Sequence, residues 1–362
     1  MKTQKYMVIA VIAGFFFFVL YTFFAGLPLN KQLQFEPQWI RDISLQHDFV
    51  DPVASETSFN ETNLIPYKLG QSIGYFTGEG QIASLVPYDF DAAISRYYYS
   101  PYAPDAASTD FYDNNGKKSG TIQASGFPYF DENHIFVFHP GGTSFSECDA
   151  EGNVLWTNAN YTPITSFASS EGGVAIGTAD GTVKVLSHSG EVLADIVPGG
   201  SIHPIVLGSA ISEDGSFVAC LTGYPEQYIS LIKVENGINR VIFNELLPSR
   251  IREQLFLKFS KSSNILYFEH AQGLSTLDLS THRTTELPTV GKILSIYEIK
   301  NAHLAAVFSK KNSTYTVSIL KNYTTYLGSF SFDAVNAFIR TTDDALFVGK
   351  DTTIAKLAIN IK

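Results

Sequence analysis

A chain of 362 residues, 17% of them charged and 14% aromatic, is long enough to bury a large core without disulfide staples. Its aromatic and β-branched content favours strands over helices. The formal net charge is −10, and the first thirty residues hold Lys2 and Lys5 but no acid, so the remainder is more acidic still. Such a surface repels phosphate backbones and excludes nucleic acid as a partner.

Residues 7–27, MVIAVIAGFFFFVLYTFFAGL, carry no charge over a length that crosses a hydrocarbon core of about 30 Å as a helix. A cleavable signal peptide is the competing reading. Its apolar region is shorter, and the best cleavage point here, after Ala25, has Phe23 where a small residue is wanted. The segment therefore reads as an uncleaved signal anchor. Lys2 and Lys5 before it place the tail of residues 1–6 in the cytoplasm and the rest outside, periplasmic or extracellular. Residues 28–60, with proline, asparagine, glutamine and alternating charges, read as a stalk.

Beyond the stalk the chain repeats. FYDNNGKKSGTI (111–122), ECDAEGNVLWTN (147–158) and VLSHSGEVLADI (185–196) each read as strand, turn and strand, with glycine at 116, 152 and 190. Glycine suits a turn position of positive φ, and Asp or Ser before it can close the turn through its side chain. Two further short strands lie between successive hairpins, so the unit is four strands in about forty residues. Period-2 stretches such as TVKVL and TYTVSIL exclude a helical solenoid, and a β-sandwich would not repeat at this length.

The expected fold is thus an all-β β-propeller of about seven four-stranded blades after one N-terminal transmembrane helix, with the propeller over 61–362. The expected units are 71–124, 125–160, 161–200, 201–248, 249–290, 291–332 and 333–362. The last is one strand short, and residues 60–70 are the expected donor of the strand that closes the ring. Cys148 and Cys220 then fall on non-adjacent blades, too far apart to bridge, and read as small buried residues.

The aspartate–glycine turn followed by an apolar strand, as in ECDAEGNVLW, resembles the PQQ-like and Trp-Asp-repeat-like propeller superfamily over most of 70–362. The Gly-His and Trp-Asp dipeptides of the eukaryotic repeat are absent. PQQ-type dehydrogenases use tryptophan-rich docking repeats, whereas this chain has only Trp39 and Trp156. The resemblance therefore implies a fold, not an enzyme. With an anchor in front, the chain looks like bacterial envelope proteins of this architecture, among them the lipoprotein propeller of the outer-membrane assembly machine, although no lipid-attachment cysteine follows the apolar segment.

Catalytic motifs are weak. Residues 70–74, GQSIG, match the nucleophile-elbow pattern, but their flanks read as strands and no helix follows. The eight histidines show no metal-ligand spacing, so neither metal nor cofactor is expected. Two clusters are candidates for binding. Residues 86–112 are rich in tyrosine and proline, with Tyr97, Tyr98, Tyr99 and Tyr102 as possible contact residues; packing between blades is the alternative. On one rim, PGGSIHP (198–204), GYPEQ (223–227) and PSRIREQ (248–254) would gather His203, Tyr224, Glu226, Arg250 and Arg252 into a site for an anionic ligand or partner. The functional expectation is a membrane-tethered protein-binding or scaffold module with an envelope protein as partner. The alternative is an extracytoplasmic hydrolase, lyase or lactonase with its site in the central funnel.

Overall fold

The computed structural model describes residues 13–21, 33–45, 64–235 and 238–361. The chain divides into a small unit, residues 1–36 with 359–362, and a large one, residues 37–358. In the small unit, residues 13–21 are helical, and Phe15, Phe16, Phe17 and Phe18 are exposed. Among the described residues no helix is long and apolar enough to cross a membrane. Residues 7–12 and 22–27 of the expected anchor lie outside the described residues.

The large unit is built from eight antiparallel sheets in chain order. The first holds β2 (Leu64–Leu69), β3 (Ser72–Thr77) and β4 (Ile82–Pro87). The second holds β5 (Asp91–Ile94) to β8 (Lys118–Ile122), and the third β9 (Phe127–Asp131) to β12 (Val154–Ala159). The fourth runs from β13 (Ile164–Ser170) to β16 (Val192–Ile196), and the fifth from β17 (His203–Ile211) to β20 (Ile238–Leu247). The sixth runs from β21 (Leu257–Phe259) to β24 (Arg283–Leu287), and the seventh from β25 (Lys292–Ile299) to β28 (Thr325–Asp333). The eighth contains β29 (Ala337–Thr341), β30 (Leu346–Lys350), β31 (Thr353–Ile361) and, as its outer strand, β1 (Leu33–Asp42).

The propeller therefore has eight blades, not seven. The expected unit 71–124 contains parts of two sheets. The first sheet has only three strands and the inner strand β5 has only four residues, so the pair reads as one irregular unit. The ring is closed by β1, inside the expected stalk; of the expected donor, residues 60–70, Leu64–Leu69 form β2 and residues 60–63 lie outside the described residues. Trp39 fixes β1 at this seam: its indole Nε1 donates to the Gly78 carbonyl at 3.2 Å, and its ring packs on Phe76 and Phe347. The GQSIG match is the β2–β3 hairpin, with Gly70 at φ +60°, and is not a nucleophile elbow.

The repeat turns are as expected. Gly116, Gly152 and Gly190 have φ of 85°, 93° and 83° in the outer hairpins of the second, third and fourth sheets. Asp113 Oδ1 accepts from the amides of Asn115 and Lys117, Asp149 Oδ1 from those of Glu151 and Asn153, and Ser187 Oγ from that of Glu191. Burial grades outward along each sheet. The second strand β14 is buried at every residue, whereas the outer strand β12 alternates between exposed and half-buried positions. The core is a set of apolar seams between neighbouring sheets, such as Leu221 and Leu231 against Leu257 and Phe268.

Strand direction in the first sheet is informative. Lys68, late in β2, donates to Asp91 and to the Ala92 carbonyl at the start of β5. Tyr75, opposite Pro66, donates its hydroxyl proton to Ser95 just past the end of β5. So β2 runs opposite to β5, and β2 to β4 correspond to the second to fourth strands of the other sheets. Among the described residues, no strand occupies the innermost place of that sheet. Pro66 stands on the free edge, where a missing N–H costs nothing, and its carbonyl accepts from Arg340 Nε at 3.1 Å.

Cys148 lies in the third sheet and Cys220 in the fifth; both are buried and unbridged. Burial pushes their thiols up, to about 11 and about 12 respectively. The folded protein is expected to react with a thiol reagent such as DTNB only on unfolding, and then with two equivalents. A fast equivalent in the native state would show that one of these seams opens.

Candidate functional site

The seven links between consecutive sheets all lie on one rim, together with the hairpins joining second and third strands. Large apolar residues collect there. Phe90 in the β4–β5 link, Tyr161 in β12–β13, Val197 and Ile202 in β16–β17, Val290 in β24–β25 and Val335 in β28–β29 are each more than half exposed. The β20–β21 link carries Arg250 and Arg252 instead, both exposed. On the opposite rim the hairpins are mostly polar or charged, as in Asn114–Lys117, Asp149–Asn153 and Thr342–Asp344; the exposed large apolar residues there include Tyr97 and, at the first positions of β12, β16 and β20, Val154, Val192 and Ile238. One rim thus carries exposed apolar side chains at five of its seven links.

The residues expected on that rim are partly brought together. His203 is the cross-strand neighbour of Tyr224. The Arg252 guanidinium lies over the Tyr224 ring, 4.3 Å from its centre, and donates to the Tyr224 hydroxyl. Glu226 and Arg250 are exposed in the same loops, and among the described residues neither bonds to this trio. The tyrosine cluster divides. Tyr99 is buried, stacked on Tyr112 and edge-on to Tyr75. Tyr98 packs on Phe111 and Phe130, and Tyr102 donates to Asp91 Oδ2. Tyr97 alone of the four is exposed, with Arg96 above its ring. Packing, the alternative reading, therefore accounts for Tyr98 and Tyr99: both stand on β6, whose side chains fill the seams to the first and third sheets.

A second constellation was invisible in the sequence. His134, at the start of β10 (His134–Phe138), Glu147 in β11 (Ser144–Cys148) and His188 in the β15–β16 turn converge from the third and fourth sheets. Glu147 is buried, and its Oε1 lies 2.8 Å from His134 Nδ1 and 2.9 Å from His188 Nδ1. One ion held by both rings would have to lie in both ring planes. The rings are instead stacked, centres 3.7 Å apart and planes at 10°, so they share no such point without turning. A proton fits better. His188 Nε2 is 2.8 Å from the Ser170 carbonyl, which can only accept, so Nε2 carries hydrogen. Nδ1 faces a carboxylate, which also only accepts. His188 is therefore an imidazolium in this arrangement, and the Glu147 hydrogen bond raises its pKa against the opposing effect of burial. Burial alone would raise Glu147, but hydrogen bonds from His134 and His188 hold it below the usual carboxylate range.

The third feature is the central channel. A cavity of about 870 Å³ opens at the polar rim, within the size range of small-molecule sites. Lys258, Tyr297 and Arg340 project into it from β21, β25 and β29, the innermost strands of three successive sheets. Neither histidine of the stacked pair lines it.

A family model for beta-propeller proteins matches residues 1–362. The chain belongs to the beta-propeller protein family. This beta-propeller protein is 28% identical over 345 residues to an uncharacterized protein of Treponema pallidum (strain Nichols), covering 95% of this chain and 92% of that one. Its fold is similar to that of BamB from Moraxella catarrhalis, with a TM-score of 0.57 and 12% identity over 90% of this chain and 100% of that one. It is similar also to the computationally designed Ika8 protein, with a TM-score of 0.60 and 15% identity over 83% and 94%. At such identities the likeness is one of fold.

Sequence reasoning missed Tyr161 and Val335 because a single apolar residue in a loop carries no periodic signal; Phe90 and Ile202 fall inside the stretches 86–112 and 198–204 that it singled out. The link positions of the repeat were the available clue: once the sheets are in register, these residues recur at equivalent places.

Proposed function

We propose that this beta-propeller protein is a protein-binding scaffold whose docking face is the rim of inter-sheet links. The observation that carries this reading is the concentration of Phe90, Tyr161, Val197, Ile202, Val290 and Val335 on one rim, beside the Arg252–Tyr224 pair. Apolar residues together with Tyr and Arg are the side chains that anchor protein interfaces. The partner this face fits is a protein with an apolar contact surface and acid placed toward Arg250 and Arg252. The charge-free run 7–27, with the exposed phenylalanines of residues 13–21, supports a membrane tether, and Lys2 and Lys5 support a propeller held outside the cytoplasm with an envelope protein as partner.

Crosslinking from intact membranes tests both parts. With the full chain, one envelope protein should be recovered, and Ile202→Asp with Val335→Asp should lower its yield at least tenfold while the melting temperature stays unchanged. Arg252→Ala should give a smaller loss, about 1–2 kcal/mol. Equal recovery by the wild-type chain and the rim variants would eliminate the rim as the docking face.

A further inference from the structure

Lys258, Tyr297 and Arg340 form a surplus of hydrogen-bond donors at the channel wall. The Lys258 ammonium donates to the Ile296 carbonyl at 3.1 Å and has two further N–H groups. Arg340 is fixed through Nε on Pro66 and through Nη1 on the Tyr297 hydroxyl at 2.6 Å and on the Ile339 carbonyl at 3.0 Å; its Nη2 has no acceptor among the described residues. Tyr297, already accepting from Arg340, keeps its own O–H to donate. Both cations also flank the Tyr297 ring, Lys258 Nζ at 5.5 Å and Arg340 Cζ at 5.4 Å from its centre.

No carboxylate among the described residues lies within ion-pair distance of either cation. Acids do line the channel, among them Glu132, Asp343 and Asp344 at its mouth; of the two that act on Lys258, Glu298 accepts through Oε1 from the Lys261 amide at 2.8 Å and Asp131 through Oδ2 from Ser169. Lys258 is exposed to the water of the channel, although protein crowds around its amine. Its amine is held below the usual lysine range, first by burial and then by Lys261 and Arg340, against Glu298 and Asp131. Two cations set against one ring repel each other, and an anion bound between them would relieve that repulsion. Strand alternation builds this in: Leu257 and Phe259 fill the seam to the fifth sheet, so Lys258 takes the opposite face, toward Ile296 and Tyr297.

We propose that Lys258, Tyr297 and Arg340 form an oxyanion-binding site in the central channel, taking a carboxylate or phosphate group of a small-molecule ligand. The site stands apart from the link rim and does not depend on the scaffold reading. Arg340 supplies the two N–H groups left on Nη2, Lys258 a point charge, and Tyr297 a neutral donor that orients the group. The aromatic wall and the channel volume leave room for the body of the ligand.

Isothermal titration of the full chain with inorganic phosphate and with citrate, each against potassium chloride at equal ionic strength, is the test. At least one of the two should bind with one-to-one stoichiometry, and which of them binds distinguishes phosphate from carboxylate. Lys258→Met should weaken that binding at least tenfold, and Arg340→Gln at least as much, while Lys261→Met, at the mouth, should change it less than threefold. Arg340 also caps the free edge of β2, so Lys258→Met decides the matter if the arginine variant does not fold. Heats no greater than those of chloride for both probes, or binding that survives Lys258→Met, would overturn the proposal.

Discussion

Replacing Trp39 by alanine is expected to destabilise the propeller by about 3 kcal/mol, the range for removing a large packed aromatic side chain. The reason is the position of β1. Every other sheet is made from one continuous stretch of chain, whereas the eighth takes its outer strand from the other end of the sequence. The ring is held at that point by the β1–β31 pairing and by the side chains β1 contributes. Trp39 contributes most: its indole bonds to Gly78, it packs on Phe76 and Phe347, and it lies against Gly80, where an added Cβ would meet the ring at 2.8 Å. Arg41 adds a bond from Nε to the Gly80 carbonyl. Denaturant midpoints compared with Ile40→Ala, an exposed neighbour on the same strand, make the measurement specific. Ile40→Ala should cost less than about 0.5 kcal/mol. Equal effects from the two variants would mean that β1 does not close the ring.

The seam also shows what the sequence could not disclose. The hairpins around Gly116, Gly152 and Gly190 were legible because a turn of positive φ demands glycine and a preceding side-chain acceptor, and both recur at a fixed spacing. From residue 125 onward the strand units could be read almost to their ends. The closing strand LQFEPQWIRD could not, because an outer strand is wetted on one face and needs no strict alternation; its proline and charges read as a stalk. The first two sheets merged for a related reason. A three-stranded sheet followed by a four-residue inner strand breaks the repeat that the count relied on. The site residues depend on topology more than on pattern. Ile202 and Val335 are ordinary loop residues until eight sheets place them on one rim, and Lys258 is an unremarkable surface-type lysine until Leu257 and Phe259 turn it inward. Tyr98 and Tyr99 erred in the other direction. An aromatic run resembles an interface in sequence, yet between closely set blades such rings are what fills the seam.

The buried Glu147 should be the costliest single charge to remove. Glu147→Gln keeps the shape of the side chain but leaves His188 facing an amide, with His134 stacked on it and Glu171, 4.0 Å from His134 Nε2, as the remaining acid nearby. Breaking a buried ion pair by neutralising one partner typically costs about 3–5 kcal/mol; with His188 partly open to solvent, about 2–3 kcal/mol is expected at pH 6. The dependence on pH has a definite sign. His188 is raised above its ordinary 6.5, so its contribution is complete below pH 6.5 and disappears as pH climbs through the raised value. Glu147 is lowered beneath its ordinary 4.5, so its contribution is complete above pH 4.5 and disappears as pH falls through the lowered value. The link between the third and fourth sheets is therefore strongest from pH 4.5 to 6.5. Denaturation of the wild-type chain and of Glu147→Gln across pH 5.5–9 should show the gap between them closing as His188 loses its proton. A gap that stayed constant over that range would mean that Glu147 acts through packing and neutral hydrogen bonds, and that His188 is not the cation its two acceptors require.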